Sequence, residues 1–85
     1  MKPRAIVIAA TLPEGRKWVE RGRAQHILDI EVVAIITPRA RHRARGILAD
    51  LIVSTEGAHA LDHNTFAQLL AEAEPCLATS TWRNS

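Results

Sequence analysis

The feature that most constrains the fold is an apolar run that passes directly into a basic one, EVVAIITPRARHRARG at residues 31–46. Residues 32–36 are β-branched apart from one alanine, and the run has the length of a buried strand. Thr37 and Pro38 end the run, because a threonine hydroxyl caps a helix and proline fixes φ at a value that suits the first helical turn. The pattern therefore predicts a buried central strand followed at once by a helix that starts at Pro38.

The start of that predicted helix carries dense positive charge, and residues 37–45 are called the basic corner below. Guanidinium groups and free helix amides at the carboxyl end of a strand favour an anion. Because few aromatic residues are interleaved, contact with phosphate groups is favoured over base stacking. The residues predicted to bind an anion or nucleic acid are Thr37, Arg39, Arg41, Arg43 and Arg45, with Arg16 and Lys17. The alternative is that these arginines are solvated ends whose stems cover the core.

Two further apolar runs predict the other strands. Residues 4–10 are, after the initial arginine, apolar on both faces, which is typical of a strand in a covered parallel sheet. Residues 51–54 form a shorter run, and the stretch that joins it to Thr37 has the length of a crossover and exceeds that of a hairpin. The three strands are therefore expected to run parallel.

A helix is predicted between the first two strands. Thr11 and Glu14 form a capping-box pattern, with Pro13 in the first turn, where its missing N–H costs little. Gly22 ends this helix, or the helix continues toward His26.

The last helix is predicted to be broken. Asp62 or Asn64 caps it, and Pro75 interrupts it, because a proline inside a helix costs about 3 kcal/mol. We expect a break near Glu74 and a final turn from Pro75. The apolar face of this helix consists of Phe66, Leu69, Leu70, Ala73 and Leu77.

These patterns predict one small α/β domain over residues 1–85, with a polar tail at 80–85. The expected fold is a three-stranded parallel sheet with right-handed crossover helices and a broken C-terminal helix that closes the core. Two strand orders stay open. Sequential order would put both crossovers on one face of the sheet, whereas a half-Rossmann order would split them between the two faces.

Other features of the sequence indicate the cellular compartment and bear on metal and cofactor binding. The apolar runs are too short for a signal sequence or a membrane span, so a cytoplasmic protein without membrane contact is expected. The lone Cys76 agrees with a reducing compartment and is expected to be structural. His59 and His63 have an i, i+4 spacing but no third ligand nearby, so no metal is expected, and no cofactor is expected either.

Charge is divided unevenly along the chain. Residues 1–45 hold ten Lys and Arg against four Asp and Glu, whereas residues 46–85 hold one against five. One face is therefore expected to attract phosphate, or two copies are expected to associate head to tail as a homodimer.

The segment RGILADLIVSTE at residues 45–56 resembles the R-G-x-x-A-D-x-x-x-x-D-E segment through the Walker B strand of phage terminase and helicase-like P-loop ATPases. Residues 6–11 are similar to the strand with an Ala-x-Thr end that precedes that segment in the same cores. The resemblance implies a P-loop-core-like fold. Parallel sheets bind ligands in the loops at the carboxyl ends of their strands, so Thr11, Thr55 and Glu56 are expected at a ligand edge. The chain departs from the pattern, because it has no G-x-x-x-x-G-K-[ST] loop and Thr55 stands where the magnesium-binding Asp is expected. The resemblance thus implies a non-hydrolysing relative, of the type of a small phage protein.

Three functional hypotheses follow. The first is a non-enzymatic module that contacts nucleic-acid phosphate or another polyanion through the basic corner. The second is a phage-type regulatory module that binds a host protein or a second copy, with Trp82 in the interface. The third is a small enzyme on a phosphorylated substrate that uses Thr11, Thr37 and Glu56.

Overall fold

A computed structural model describes residues 2–25 and 29–77. The strands are β1 (Arg4–Ile8), β2 (Glu31–Ile36) and β3 (Leu51–Ser54), and the helices are α1 (Leu12–Ala24), α2 (Glu56–His59) and α3 (His63–Ala73), with a 3₁₀ turn at Glu74–Cys76. The predictions for Trp82 and for the tail at 80–85 lie outside the described residues.

The sheet is fully parallel with the order β2-β1-β3, which is the alternative that splits the two crossovers between the faces of the sheet. The name half-Rossmann does not fit it, because half of a Rossmann sheet has sequential strand order. The prediction that residues 32–36 form the central strand is wrong, because β1 occupies the centre and β2 lies at an edge of the described sheet. Burial follows this order. Residues 5–8 of β1 are completely buried, whereas most of β2 is half-buried. Both runs are equally apolar, so composition alone does not tell the central strand from its neighbour.

The register brings the carboxyl ends of all three strands to one level. Ile8 pairs with Ile36 on one side and with Ser54 on the other. A bulge between Ala5 and Ile6 adjusts the β1–β2 register earlier in the strands. The chain segments that follow the three strands therefore begin side by side at the carboxyl end of the sheet.

The first crossover leads from β1 outward to β2, and the second leads back from β2 past β1 to β3. Because these directions are opposite, right-handed crossovers cover opposite faces of the sheet. Helix α1 covers one face and buries Gly15 and Val19. Gly15 permits close contact, because a Cβ built there would lie 2.8 Å from Ile35 Cγ2 and 2.9 Å from Ala9 Cβ. The packing at position 15 therefore leaves no room for a Cβ atom.

Gly15→Ala is expected to destabilise the protein. Overpacking against Ile35 and Ala9 costs about 1–3 kcal/mol, and the better helix propensity of alanine returns at most about 1 kcal/mol. Urea denaturation measures the difference in the free energy of unfolding. The exposed neighbour Arg16→Ala is the control and should change it by less than about 0.5 kcal/mol. Equal stability of Gly15→Ala and the unmodified chain would refute the close packing.

The opposite face holds the main core cluster. Ile6, Ile8 and Ile36 contribute the strand side of this cluster, and Leu69 contributes the α3 side. Cys76 is buried as expected for a structural thiol, and its Sγ donates to the Ala44 carbonyl oxygen at 3.0 Å. The second crossover is thereby attached to the C-terminal part of the described chain.

The basic corner is not helical, which corrects the predicted helix from Pro38. Residues 38–46 form consecutive turns, in which the bonds Ala40 N to Thr37 O and Ile47 N to Ala44 O each span three residues. Gly46 follows with φ of 79°, a conformation that favours glycine. A short helix needs a broad buried face to be stable. Within the corner only Thr37 and Ala44 are buried, so the alternating arginines are better solvated in turns.

The capping prediction for α1 is confirmed at Thr11, whose hydroxyl oxygen accepts from Glu14 N at 3.3 Å. The Glu14 carboxylate does not complete the reciprocal box to the Thr11 amide. It accepts from Ala10 N at 3.1 Å instead. The helix continues past Gly22 and ends at Ala24, and the proposed extension to His26 lies outside the described residues.

The predicted break in the C-terminal helix is confirmed. Helix α3 ends at Ala73, and the 3₁₀ turn that contains Pro75 follows directly. Asp62 is the N-cap, with its carboxylate accepting from Thr65 N at 3.0 Å and from Thr65 Oγ1 at 2.6 Å. Within the described ranges, every helix falls short of the length and apolar character that crossing a bilayer requires.

The pKa of Asp62 is expected to lie below the ordinary value of 3.8, because the Thr65 hydroxyl and then the Thr65 amide stabilise its carboxylate. An NMR pH titration at the Thr65 amide should show this, and Thr65→Val should raise the midpoint toward 3.8. The folded pKa is depressed, so the contribution of this group to stability is complete above the unfolded pKa and is lost as pH falls through the folded pKa. A midpoint that Thr65→Val leaves unchanged would contradict the assignment.

Candidate anion-binding site

A concave site lies at the carboxyl ends of β1 and β2, between the first turn of α1 and the basic corner. We call it the β1–β2 cavity, and its volume is about 770 Å³. Its lining consists of Ala10, Thr11, Leu12, Pro13, Thr37, Pro38, Arg39, Ala40 and Arg43. The elements on its two sides leave adjacent strands toward opposite faces of the sheet, which opens the space between them.

The polar groups of this cavity are cations and hydroxyls. Arg39 and Arg43 are exposed, whereas Thr37 is only 4% exposed. The Thr11 oxygen already accepts the Glu14 amide, so its O–H hydrogen is the part that can be donated to a ligand. None of the described lining residues is acidic. The site is therefore suited to a negatively charged group.

The other two arginines of the basic corner contact α3. Arg41 Nη1 donates to Gln68 Oε1 at 3.0 Å. Arg45 Nε lies 3.7 Å from Glu72 Oε2, and His42 Nδ1 lies 3.3 Å from the same oxygen. The basic corner is thus divided into a pair at the cavity, Arg39 and Arg43, and a pair that faces α3.

The remaining predicted anion-binding residues lie apart from the cavity lining. Arg16 lines a smaller cavity of about 240 Å³ between α1 and β2, beside Arg23. Lys17 is exposed on α1. The sequence predicts one surface for all three arginines, but the structure does not bring Arg16 together with Arg39 and Arg43.

A partly buried polar contact, which we call the Glu14–Thr55 bridge, joins the first turn of α1 to the residue that follows β3. Thr55 Oγ1 donates to Glu14 Oε1 at 2.8 Å, and the same threonine oxygen accepts from Ala58 N at 3.2 Å. Gly57 leaves room for the carboxylate, because a Cβ there would lie 2.5 Å from Glu14 Oε1. Sheets with this strand order commonly bind ligands between β1 and β3. Here the bridge joins two side chains that follow these strands.

The Glu14–Thr55 bridge bears on the prediction that Thr55 and Glu56 lie at a ligand edge. Thr55 is completely buried in the bridge, whereas Glu56 is exposed in the first turn of α2 and is not among the cavity lining residues. Glu14 was assigned only a capping role from the sequence. Its contact with a threonine 41 residues away has no local signal in the chain.

Ser54 and His59 form another contact after β3. Ser54 Oγ lies 3.1 Å from His59 Nε2, and the imidazole ring stacks on Phe66 with 6.0 Å between ring centroids. This contact closes the short α2 segment onto the end of the strand. His59 therefore has a structural environment.

The described residues and three comparisons with known proteins bear on chemistry and identity. Among the described residues, no group of three His, Cys, Asp or Glu side chains is arranged to hold a metal ion. Searches against protein-family models, curated proteins and solved structures find no significant match to this chain. The fold and the site define it as a small parallel α/β domain with a cationic cavity at the strand ends.

Proposed function

We propose that this protein is a non-enzymatic binding module that contacts nucleic-acid phosphate groups through the basic corner. The observation that carries the proposal is the β1–β2 cavity, which has Arg39 and Arg43 in its lining and no acidic residue among the described lining residues. Arg41 and Arg45 are exposed on the same run of turns and extend the positive surface beyond the cavity. Arginine suits this role because its planar donors match phosphate oxygens.

The guanidinium groups are the main source of this positive field. The amino end of α1 carries partial positive charge, but the Glu14 carboxylate lies in its first turn and offsets that charge. Thr11 further occupies one α1 amide. Binding should therefore depend on arginine side chains and fall steeply with salt.

The cavity lining also supports binding over catalysis. The enzyme hypothesis requires a base near Thr11 and Thr37, and Glu56 was the residue assigned to act with them. Glu56 is not part of the lining, and the described lining residues include no carboxylate, imidazole or thiol. The protein-interaction hypothesis relied on Trp82, which lies outside the described residues.

The test is a salt series of fluorescence anisotropy titrations with duplex DNA and with RNA of several sequences. Replacing Arg39, Arg41 and Arg43 by glutamine should weaken binding uniformly across sequences. The slope of log K against log salt should fall by about 0.9 for each lost phosphate contact.

The control removes three charges from exposed positions elsewhere, Lys2, Arg21 and Arg23, again to glutamine. This variant should retain most of the affinity and of the salt slope. If the unmodified protein retains neither DNA nor RNA at low salt, or if both triple variants lose affinity equally, the basic corner is not the binding surface.

A further inference from the structure

We propose that the β1–β2 cavity binds a terminal phosphate monoester carried by a nucleotide, in preference to the internal phosphodiesters of a strand. This inference rests on the proposed function and narrows its ligand. The two sources of such a group are the 5′-phosphorylated end of a strand and a free mononucleotide.

The shape of the cavity favours a chain end. The first turn of α1 and the basic corner line it from two sides, and its volume of about 770 Å³ is that of a small-molecule site, about 300–1,000 Å³. An internal phosphodiester has a sugar on each side, so the strand must continue past the cavity in both directions when that phosphate meets the two arginines. A terminal phosphate has one sugar and can enter with its nucleoside behind it.

The charge of the lining favours a monoester. A phosphate monoester carries about −1.5 to −2 at neutral pH, whereas an internal diester carries about −1. Arg39 and Arg43 offer two guanidinium groups to one recess, and the Thr11 and Thr37 hydroxyls lie in the same lining. Each guanidinium can donate two parallel hydrogen bonds to phosphate oxygens. A phosphate dianion can neutralise both guanidinium charges, whereas a singly charged diester can neutralise only one.

The rest of the lining is apolar and favours a nucleotide over inorganic phosphate. Leu12 and Pro13 contribute from α1, and Pro38 and Ala40 contribute from the basic corner. These side chains offer apolar contact to a sugar and to the edge of a base. They offer nothing to the oxygens of a free phosphate ion.

The basic corner also supplies its own matched control for this inference. Arg41 and Arg45 carry the same charge on the same run of turns, yet they contact Gln68 and Glu72 of α3. Removing this pair changes the net charge as much as removing Arg39 and Arg43 does. If the two double variants differ in binding, the difference is due to where the removed arginines lie, because both variants lose the same charge.

The experiment compares two single-stranded oligonucleotides of one sequence, labelled at the 3′ end, with either a phosphate or a hydroxyl at the 5′ end. The phosphorylated strand is expected to bind at least about tenfold more tightly, because it adds charge-assisted hydrogen bonds. Arg39→Gln with Arg43→Gln should abolish this preference, and Arg41→Gln with Arg45→Gln should retain it. Circular dichroism of both double variants checks that they are folded.

Competition with adenosine 5′-monophosphate distinguishes the two sources of the phosphate. An inhibition constant below the dissociation constant of the phosphorylated strand identifies the free mononucleotide as the preferred ligand, and a higher one identifies the strand end. Adenosine 5′-monophosphate should displace the phosphorylated strand at a lower concentration than inorganic phosphate does. Equal affinity for both strands, or a preference that survives in the Arg39 and Arg43 variant, would overturn this inference while leaving phosphate contact by the basic corner intact. Failure of either strand to bind at low salt would overturn the proposed function together with it.

Discussion

Leu69→Ala is expected to lower the free energy of unfolding by about 2–5 kcal/mol, through lost apolar burial and the cavity that remains. Leu69 is 1% exposed and belongs to the core cluster that joins α3 to the strands. A domain of this size has a total stability of about 5–15 kcal/mol, so the change removes a large fraction of it. Urea denaturation followed by circular dichroism measures the loss as a shift in the midpoint.

The chain offers a matched control for this prediction in Leu48→Ala. Leu48 is 60% exposed, so the same chemical change there should alter stability by less than about 0.5 kcal/mol. Two variants of similar stability would show that Leu69 is not a core residue. The packing of α3 on the sheet would then have to be revised.

Thr55→Val is expected to destabilise the protein by about 1–3 kcal/mol, because it removes a buried hydroxyl at nearly constant volume. Thr55 is completely buried. Its hydroxyl serves the Glu14 carboxylate and the Ala58 amide, and both would lose this partner. Thermal and urea denaturation measure the effect.

A double-mutant cycle shows whether the effect passes through the Glu14–Thr55 bridge. Thr55→Val and Glu14→Ala should be coupled by about 0.5–3 kcal/mol, as expected for groups in one hydrogen-bonded contact. Glu20 lies further along α1 and is exposed, so Glu20→Ala combined with Thr55→Val should be additive within about 0.5 kcal/mol. Equal coupling in the two cycles would argue against the bridge.

The sequence predicts the elements whose signals are local. The runs at residues 4–10, 32–36 and 51–54 match the three strands to within two residues at each end, and the Thr11 cap is observed at its predicted position. The break at Glu74 follows from proline geometry alone. Each of these signals acts within a few residues, so tertiary packing does not override it.

Strand order and the basic corner depend on distant contacts, and here the sequence is less informative. Both orders satisfy the same apolar pattern, so this pattern does not decide which strand lies at the centre of the sheet. The i, i+4 spacing of small residues after Pro38 is typical of a helix. In the folded chain Ala44 alone of the corner's alanines is buried, which leaves too narrow a face to hold a helix.

The site could be predicted in part. Arg39, Arg43, Thr37 and Thr11 were assigned to binding or ligand-edge positions, and the structure places all four around one cavity. Helical spacing gave no means to separate Arg41 and Arg45 from this pair, because the direction of each side chain is set by turns and by α3. Whether these residues bind phosphate stays a prediction for the titrations above.

Because β1 is the central strand, the sheet depends on residues 4–8 more than on either outer strand. Both β2 and β3 pair with β1, and residues 4–8 supply every partner in those two ladders. Strands β2 and β3 do not pair with each other, so their relative position in the sheet is defined only through β1. A change that displaces β1 therefore separates the other two strands, and the parallel sheet cannot persist without it.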